Sequence, residues 1–233
     1  MTAVLSVIIP TLDEEKSLPV TLAALAQQQA HPWTVELIVV DGGSIDDTLS
    51  IAKQAGATIL SAAPGRGQQL NSGALTATGK VLLFLHADVL LPKNGLAAMA
   101  TSLEEPAIHA GCFRVLHQCS ESAGPLTRRF IRLADKRSTT RALPYGDQAV
   151  FCTRLLYEEV GGIPKLPLME DVAFARALTK RGKIARLAAT VTTSARRFEQ
   201  RPIRTTLCWW TFPLLARLRI PASVLAKIYG RPR

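Results

Sequence analysis

Three polar clusters near the start of the chain follow directly on apolar, β-branched runs. They are Pro10-Thr11-Leu12-Asp13-Glu14, Asp41-Gly42-Gly43-Ser44 and His86-Ala87-Asp88. A further loop carries Pro64-Gly65-Arg66-Gly67. Carboxylates hold ribose hydroxyls or base N–H groups, glycine lets a ligand approach the backbone, and arginine neutralises phosphate. Together these types suit a nucleotide. Neither a G-x-G-x-x-G fingerprint nor a G-x-x-x-x-G-K-[ST] loop is present, so the two commonest phosphate cradles are excluded.

The elements that must position these clusters follow from hydrophobic patterning. Val4–Pro10, Val35–Val40, Ala57–Leu60 and Val81–Leu85 read as buried strands. Leu18–Gln29, a segment from Asp46 or Asp47 through Ala55, and Gln68–Thr78 read as helices. Strands alternating with helices predict an α/β fold with a mostly parallel sheet, and ligands on such sheets bind at the carboxyl ends of the strands. Beyond Asp88 the pattern predicts helices at Asn94–Leu103 and Asp171–Lys180, and a basic helix or loop at Glu121–Arg137. It predicts strands at Ile108–Leu116, Gln148–Phe151 and Ile184–Leu187. The expected organisation is one domain over 1–195, with a nucleotide-binding half at 1–90 and an acceptor half at 91–195, followed by a basic, aromatic helical tail at 196–233.

The chain has 233 residues, 48% of them hydrophobic and 20% charged, which is enough for a full core and excludes wholesale disorder. Lys and Arg total 28 against 18 Asp and Glu, a net charge of +10. Residues 1–127 carry −5, residues 128–141 carry +5, and residues 196–233 carry +8. The acidic first half argues against a nucleic-acid coat and leaves two local anion-facing patches. Cys112, Cys119, Cys152 and Cys208 form no C-x-x-C pair and read as reduced thiols of a cytoplasmic protein. The first apolar run lacks a basic flank and reads as a strand rather than a signal peptide.

Taken in order, these motifs resemble those of family 2 glycosyltransferases of the GT-A fold. Ser6-Val7-Ile8-Ile9-Pro10-Thr11-Leu12-Asp13-Glu14-Glu15 resembles the family's opening. Val39-Val40-Asp41-Gly42-Gly43-Ser44-Ile45-Asp46-Asp47-Thr48 is similar to its V-D-D/G-G-S-x-D-x-T element, and the run from Gly65 to Gly73 to its G-[KR]-G-x-x-x-N-x-G element. His86-Ala87-Asp88 stands at the D-x-D position, and Glu170-Asp171 resembles the late E-D pair. The H-A-D variant also resembles a subgroup described as arsenosugar-biosynthesis glycosyltransferases.

The resemblance implies transfer of a sugar from a nucleoside diphosphate, UDP by family expectation, to an acceptor hydroxyl with inversion. It implies that Pro10, Thr11, Asp13 and Glu14 line the nucleotide site, with Asp41 on the base and Gly43 and Ser44 beside it. Arg66 would lie near the base or diphosphate. Asp88 would hold Mg²⁺ or Mn²⁺, and Asp171, with Glu170, would serve as general base. By the same resemblance Asp147 and Gln148, in Tyr145-Gly146-Asp147-Gln148, would border the acceptor. His86 departs from the usual first Asp: it can hydrogen-bond a ribose or ligate a metal, but it brings no negative charge.

Each residue also has a plainer reading. Asp41 suits a turn before two glycines, and Glu170-Asp171 suits a helix start favoured by the dipole. Asp147 and Gln148 suit a plain turn. His31, His109 and His117 lack ligand spacing and read as surface or packing residues. The arginines of residues 128–141 suit either an anionic ligand or a solvated face. In the tail, Trp209, Trp210, Phe212 and several leucines stand among Arg204, Arg217 and Arg219. That mix over residues 204–228 suits peripheral contact with an anionic membrane, or a helix packed on the domain or on a partner. Arg196, Arg197, Gln200 and Arg201 resemble a Q-x-x-R-W element of related processive synthases without reproducing its order, which implies diphosphate contact and no catalytic role. The rival functions are a nucleotidyltransferase, which wants a basic Gly-rich loop where Asp13-Glu14-Glu15 stand, and a non-catalytic nucleotide-sugar-binding module.

Overall fold

The early apolar runs pair edge to edge. In the computed structural model, which describes residues 3–29, 32–140, 143–218 and 220–229, four strands lie parallel: β1 (Ala3–Thr11), β2 (Trp33–Asp41), β3 (Thr58–Ser61) and β4 (Val81–Phe84). They are joined by α1 (Leu18–Ala26), α2 (Thr48–Gln54) and α3 (Arg66–Thr76). Alternate residues of β1 serve opposite faces. Val7 and Ile9 belong to the cluster that holds Leu83, Phe113 and Phe151 on one side, while Ile8 belongs to the one that holds Ile38, Leu82, Phe84 and Phe174 on the other. Both faces are covered, which is why these strands read as continuous apolar runs. α3 lies so close to β1 that a Cβ on Gly73 would stand 2.4 Å from Ile8 Cγ2, so only glycine fits there.

The second half extends the same sheet. It adds β5 (Val89–Leu90), α4 (Gly95–Leu103), β6 (Ile108–Gln118), α5 (Pro125–Thr140), β7 (Phe151–Thr153), α6 (Arg154–Glu159), α7 (Glu170–Thr179) and β8 (Lys183–Ser194). The strand order is β3-β2-β1-β4-β7-β6-β8-β5. β7 is antiparallel to β4 and β6, and β5 is antiparallel to β8, so the sheet is mixed. The chain leaves β1 toward β2 and β3, then returns to β4 on the other side of β1. That reversal is a topological switch point, and the chain leaves both strands there at their carboxyl ends.

Two sequence expectations change. The strand expected over Gln148–Phe151 begins only at Phe151; Gly146–Gln148 is instead a 3-10 turn. Gln148 explains it: its side chain accepts from Tyr145 N–H at 3.0 Å and donates to Phe113 O at 2.9 Å, and Ala149 then takes a left-handed conformation. The third helix begins at Arg66, inside the expected loop, which fixes that guanidinium on a helix terminus.

The tail forms α8 (Arg196–Gln200), α9 (Pro202–Arg217) and α10 (Ala222–Tyr229). It packs on the domain: Cys208, Phe212 and Leu225 are buried with Leu168, and Phe198 with Ile131 and Ala134. His31, Arg141 and Arg219 lie outside the described residues.

Candidate active site

The backbone pairing at the switch point brings two of the polar clusters side by side. Leu85 N–H donates to Ile8 O at 3.0 Å, so Pro10-Thr11 and His86 leave the sheet as neighbours. The cavity beyond them has a volume of about 190 Å³. Pro10, Thr11, Glu14, Arg66, His86, Asp88, Asp147 and Asp171 all line it. These residues come from the end of β1, the segments after β1 and β4, the 3-10 turn and the starts of α3 and α7, far apart in the chain.

The β2 end does not reach that wall. Asp41 is buried, and its carboxylate accepts from Gly43 N–H at 2.8 Å, Ser44 N–H at 2.9 Å, Ser44 Oγ at 2.5 Å and Thr11 Oγ1 at 3.2 Å. Gly43 takes a φ of 100°, the left-handed side that this tight loop requires. Asp13 joins the same knot: its N–H donates to Ser44 Oγ at 2.9 Å, and its Oδ1 accepts from Ile45 N–H at 3.0 Å. Asp13, Asp41, Gly43 and Ser44 thus brace the β1 and β2 loops against each other behind the cavity. Gln148 is likewise buried and braces β6, as described above.

Charge in the cavity is organised in pairs. Arg66 Nε lies 2.9 Å from Glu170 Oε1. Glu170 stands behind Arg66 and outside the wall; burial pushes its carboxyl pKa upward, with Arg66 opposing. Arg196, at the start of α8, holds Glu14 in a fork at 3.1 and 2.6 Å, and its Nη2 lies 3.6 Å from Asp88 Oδ2. Burial raises the Asp88 pKa, Arg196 opposes that, and Glu14 adds to it. Burial, reinforced by Arg66, lowers His86 to about 3, so its imidazole is neutral at physiological pH.

Asp171 is held in the cavity wall by two backbone groups. Its Oδ2 accepts from Gly146 N–H at 2.9 Å, and its Oδ1 from Val172 N–H at 2.7 Å. It stands in the first turn of α7, where the helix dipole favours an anion. A Cβ on Gly146 would stand 2.7 Å from His86 Nε2 and 3.5 Å from Asp171 Oδ2. The backbone passes between the β4 end and the α7 start only because that residue is glycine.

Sequence spacing did not place His117 in the wall. Its Nδ1 lies 2.7 Å from Asp135 Oδ1 and its Nε2 3.6 Å from Asp147 Oδ2. Burial would lower its pKa, but the hydrogen bond to Asp135 and the negative charge of Asp147 nearby outweigh it and raise the group to about 9. A protonated imidazole therefore links Asp135 to the cavity carboxylate Asp147. No local signal points to this, because the partners come from α5 and the 3-10 turn. The tail supplies part of the wall: Arg197, Trp209, Phe212 and Tyr229 line the cavity, with Arg197 Nη1 donating to Tyr229 Oη at 2.6 Å.

The family model described as glycosyl transferase family 2 matches residues 6–157. Among curated proteins, the chain is 33% identical over 103 residues to an uncharacterized glycosyltransferase of Mycobacterium tuberculosis, covering 44% of each chain. It is 37% identical over 115 residues to a PGL/p-HBAD biosynthesis glycosyltransferase of the same species, covering 43% of this chain and 41% of that one. The matches thus span less than half of those relatives. Among solved structures, a Pyrobaculum calidifontis mannosyltransferase in complex with GDP-Man and Mn²⁺ aligns at a TM-score of 0.64 and 20% identity, covering 88% of this chain and 60% of that one. S. aureus TarS 1-349 in complex with UDP-GlcNAc aligns at 0.60 and 22%, covering 82% and 58%. At such identities these structures establish a shared fold.

Proposed function

The chain belongs to glycosyl transferase family 2, and from that premise we propose that it transfers a sugar from a nucleoside diphosphate sugar to an acceptor hydroxyl. The observation that carries this reading is one cavity at the β1/β4 switch point lined by Arg66, His86, Asp88 and Asp171. Asp171 takes the proton of the acceptor hydroxyl. The freed oxygen forms a bond to the anomeric carbon as the bond to the diphosphate oxygen breaks, with inversion. The nucleoside diphosphate departs with the electron pair. Arg66, and Arg196 and Arg197 from α8, supply positive charge along the cavity for that leaving group. Neutral His86 suits a hydrogen bond to a ribose or sugar hydroxyl.

The fit to a divalent metal depends on the donor set. Among the described residues, no group of three or more His, Cys, Asp or Glu side chains could hold an ion alone. Asp88 lines the cavity, and Mg²⁺ or Mn²⁺ needs only one or two carboxylates when phosphate oxygens complete its shell, so the residues fit such an ion. Bound there, the metal would neutralise charge on the diphosphate. Mn²⁺ beside GDP-Man in the P. calidifontis enzyme supports this reading. UDP-GlcNAc and GDP-Man in related folds support a nucleotide-sugar donor and leave a UDP-sugar as one of two candidates.

The test is thermal melting against UDP, GDP, CDP and ADP, each with and without Mn²⁺. A nucleotide at about 100 times its Kd should add about 2.7 kcal/mol and raise the melting temperature by several degrees. Asp88→Asn should remove the metal-dependent part of the shift. Asp171→Asn should keep the shift and lower turnover about 10²–10⁴-fold, because its amide oxygen can accept one of the two backbone N–H groups now held by the carboxylate but takes no proton. No shift with any of the four nucleotides would overturn the reading. His86 in place of an acid favours one second reading, nucleotide-sugar binding without turnover, which predicts the shift with no transfer or hydrolysis.

A further inference from the structure

α9 is apolar on both of its faces. One face packs on the domain through Cys208 and Phe212. The other carries Ile203, Leu207, Trp210, Leu214 and Leu218, which recur every third or fourth residue and are 51–66% exposed. α10 repeats the division: Leu225 is buried, while Val224 and Ile228 are 44% and 50% exposed. Scattered apolar side chains on a surface are ordinary, but a continuous stripe of large ones marks a surface that meets another phase or molecule.

The surrounding charge identifies the partner. Arg201, Arg204 and Lys227 are exposed beside the stripe. Residues 196–233 hold nine basic residues and one acidic one, Glu199. α5 packs beside α9, with the Arg137 guanidinium 4.0 Å from the Trp210 ring centre and 5.0 Å from that of Trp209. The outer face of α5 adds exposed Leu126 and Leu133 together with Arg129, Arg132 and Lys136. Leucine, tryptophan and arginine exposed on neighbouring helices match the depth profile of a bilayer interface, where apolar groups enter the acyl boundary and cations meet anionic headgroups. A second copy meeting the first through this face would juxtapose two strongly positive tails. Among the described residues, no helix is long and apolar enough to cross a membrane, so the contact would lie in the plane of the surface.

We propose that the exposed face of α9 and α10, flanked by α5, docks the protein on an anionic lipid surface. This is independent of the donor chemistry, because the stripe lies on the side of α9 away from Cys208 and Phe212, which line the cavity. It also holds α9, a wall of the candidate active site, at the membrane.

The experiment uses the full chain with vesicles of phosphatidylcholine alone and of phosphatidylcholine mixed with phosphatidylglycerol. The protein should co-sediment with the anionic vesicles and not with the neutral ones, and raising the salt should weaken binding severalfold. Leu207→Glu with Leu214→Glu should weaken it at least about tenfold and leave the melting temperature unchanged, since both positions are exposed. Failure to bind anionic vesicles would overturn the proposal. So would equal binding to both vesicles, or a dimer in sedimentation that the double variant dissolves. Nucleotide-dependent melting, measured on the same samples, reports the transferase reading separately.

Discussion

His117 and His86 line one cavity and are driven in opposite directions. His117 is held by two carboxylates and raised to about 9 from 6.5, so its contribution to stability is complete below pH 6.5 and is lost as the pH rises through 9. His86 is buried and lowered to about 3 from 6.5, so its contribution is present above pH 6.5 and is lost as the pH falls. The two histidines therefore pull stability in opposite directions on either side of pH 6.5, and His117 adds an alkaline limb of about 3 kcal/mol. Denaturant melts of His117→Gln should lose most of the alkaline limb and keep the acid one; an unchanged alkaline limb would mean that the imidazole is not held between Asp135 and Asp147. Arg66 offers a second test at this scale. Arg66→Met leaves Glu170 buried and unpaired, at a cost of about 3–5 kcal/mol. Adding Glu170→Leu should recover most of that stability, while nucleotide binding stays lost in both variants. Equal melting temperatures for the single and double variants would reject the pair.

At the scale of elements, the strands and helices divide by how they are stabilised. β1 to β4 are buried on both faces, so their apolar runs read directly from the chain. β7 is three residues long, and its approach is set by Gln148, whose bonds run to Tyr145 and to Phe113 on β6. No local pattern encodes that turn, and a strand was the natural reading of the apolar residues beside it. α9 is a further case, because apolar residues on both sides of a helix erase the amphipathic signal that normally says which side is buried. The expectation for Asp41 rested on its place after β2. The carboxylate is there and accepts from Gly43, Ser44 and Thr11, which follows from backbone geometry that only the folded loops possess.

At the scale of the whole molecule, the tail is part of the site. Phe212 is buried, stacks near Tyr229 at a ring separation of 5.9 Å and lines the cavity. Phe212→Ala should therefore cost about 3 kcal/mol and lower the melting temperature by several degrees, with weaker nucleotide binding as well. A variant that melts like the parent would mean that the tail hangs free. Glu14 makes the same point through charge: Arg196 reaches it from 182 residues away.

The sequence alone determined the α/β class, the four parallel strands and the polar ends of three of them. Each of these depends on local runs of apolar residues followed by residues that cannot continue them. It also singled out Arg66, His86, Asp88 and Asp171 as chemistry-bearing, through the order of their motifs. Tertiary structure decided which of the marked residues face one cavity, that Asp13, Asp41, Ser44 and Gln148 turn their polar groups into the scaffold, and that His117 belongs to the wall. Those outcomes depend on which groups far apart in the chain satisfy one another's hydrogen bonds and charges, and such pairing exists only after the sheet has brought them together.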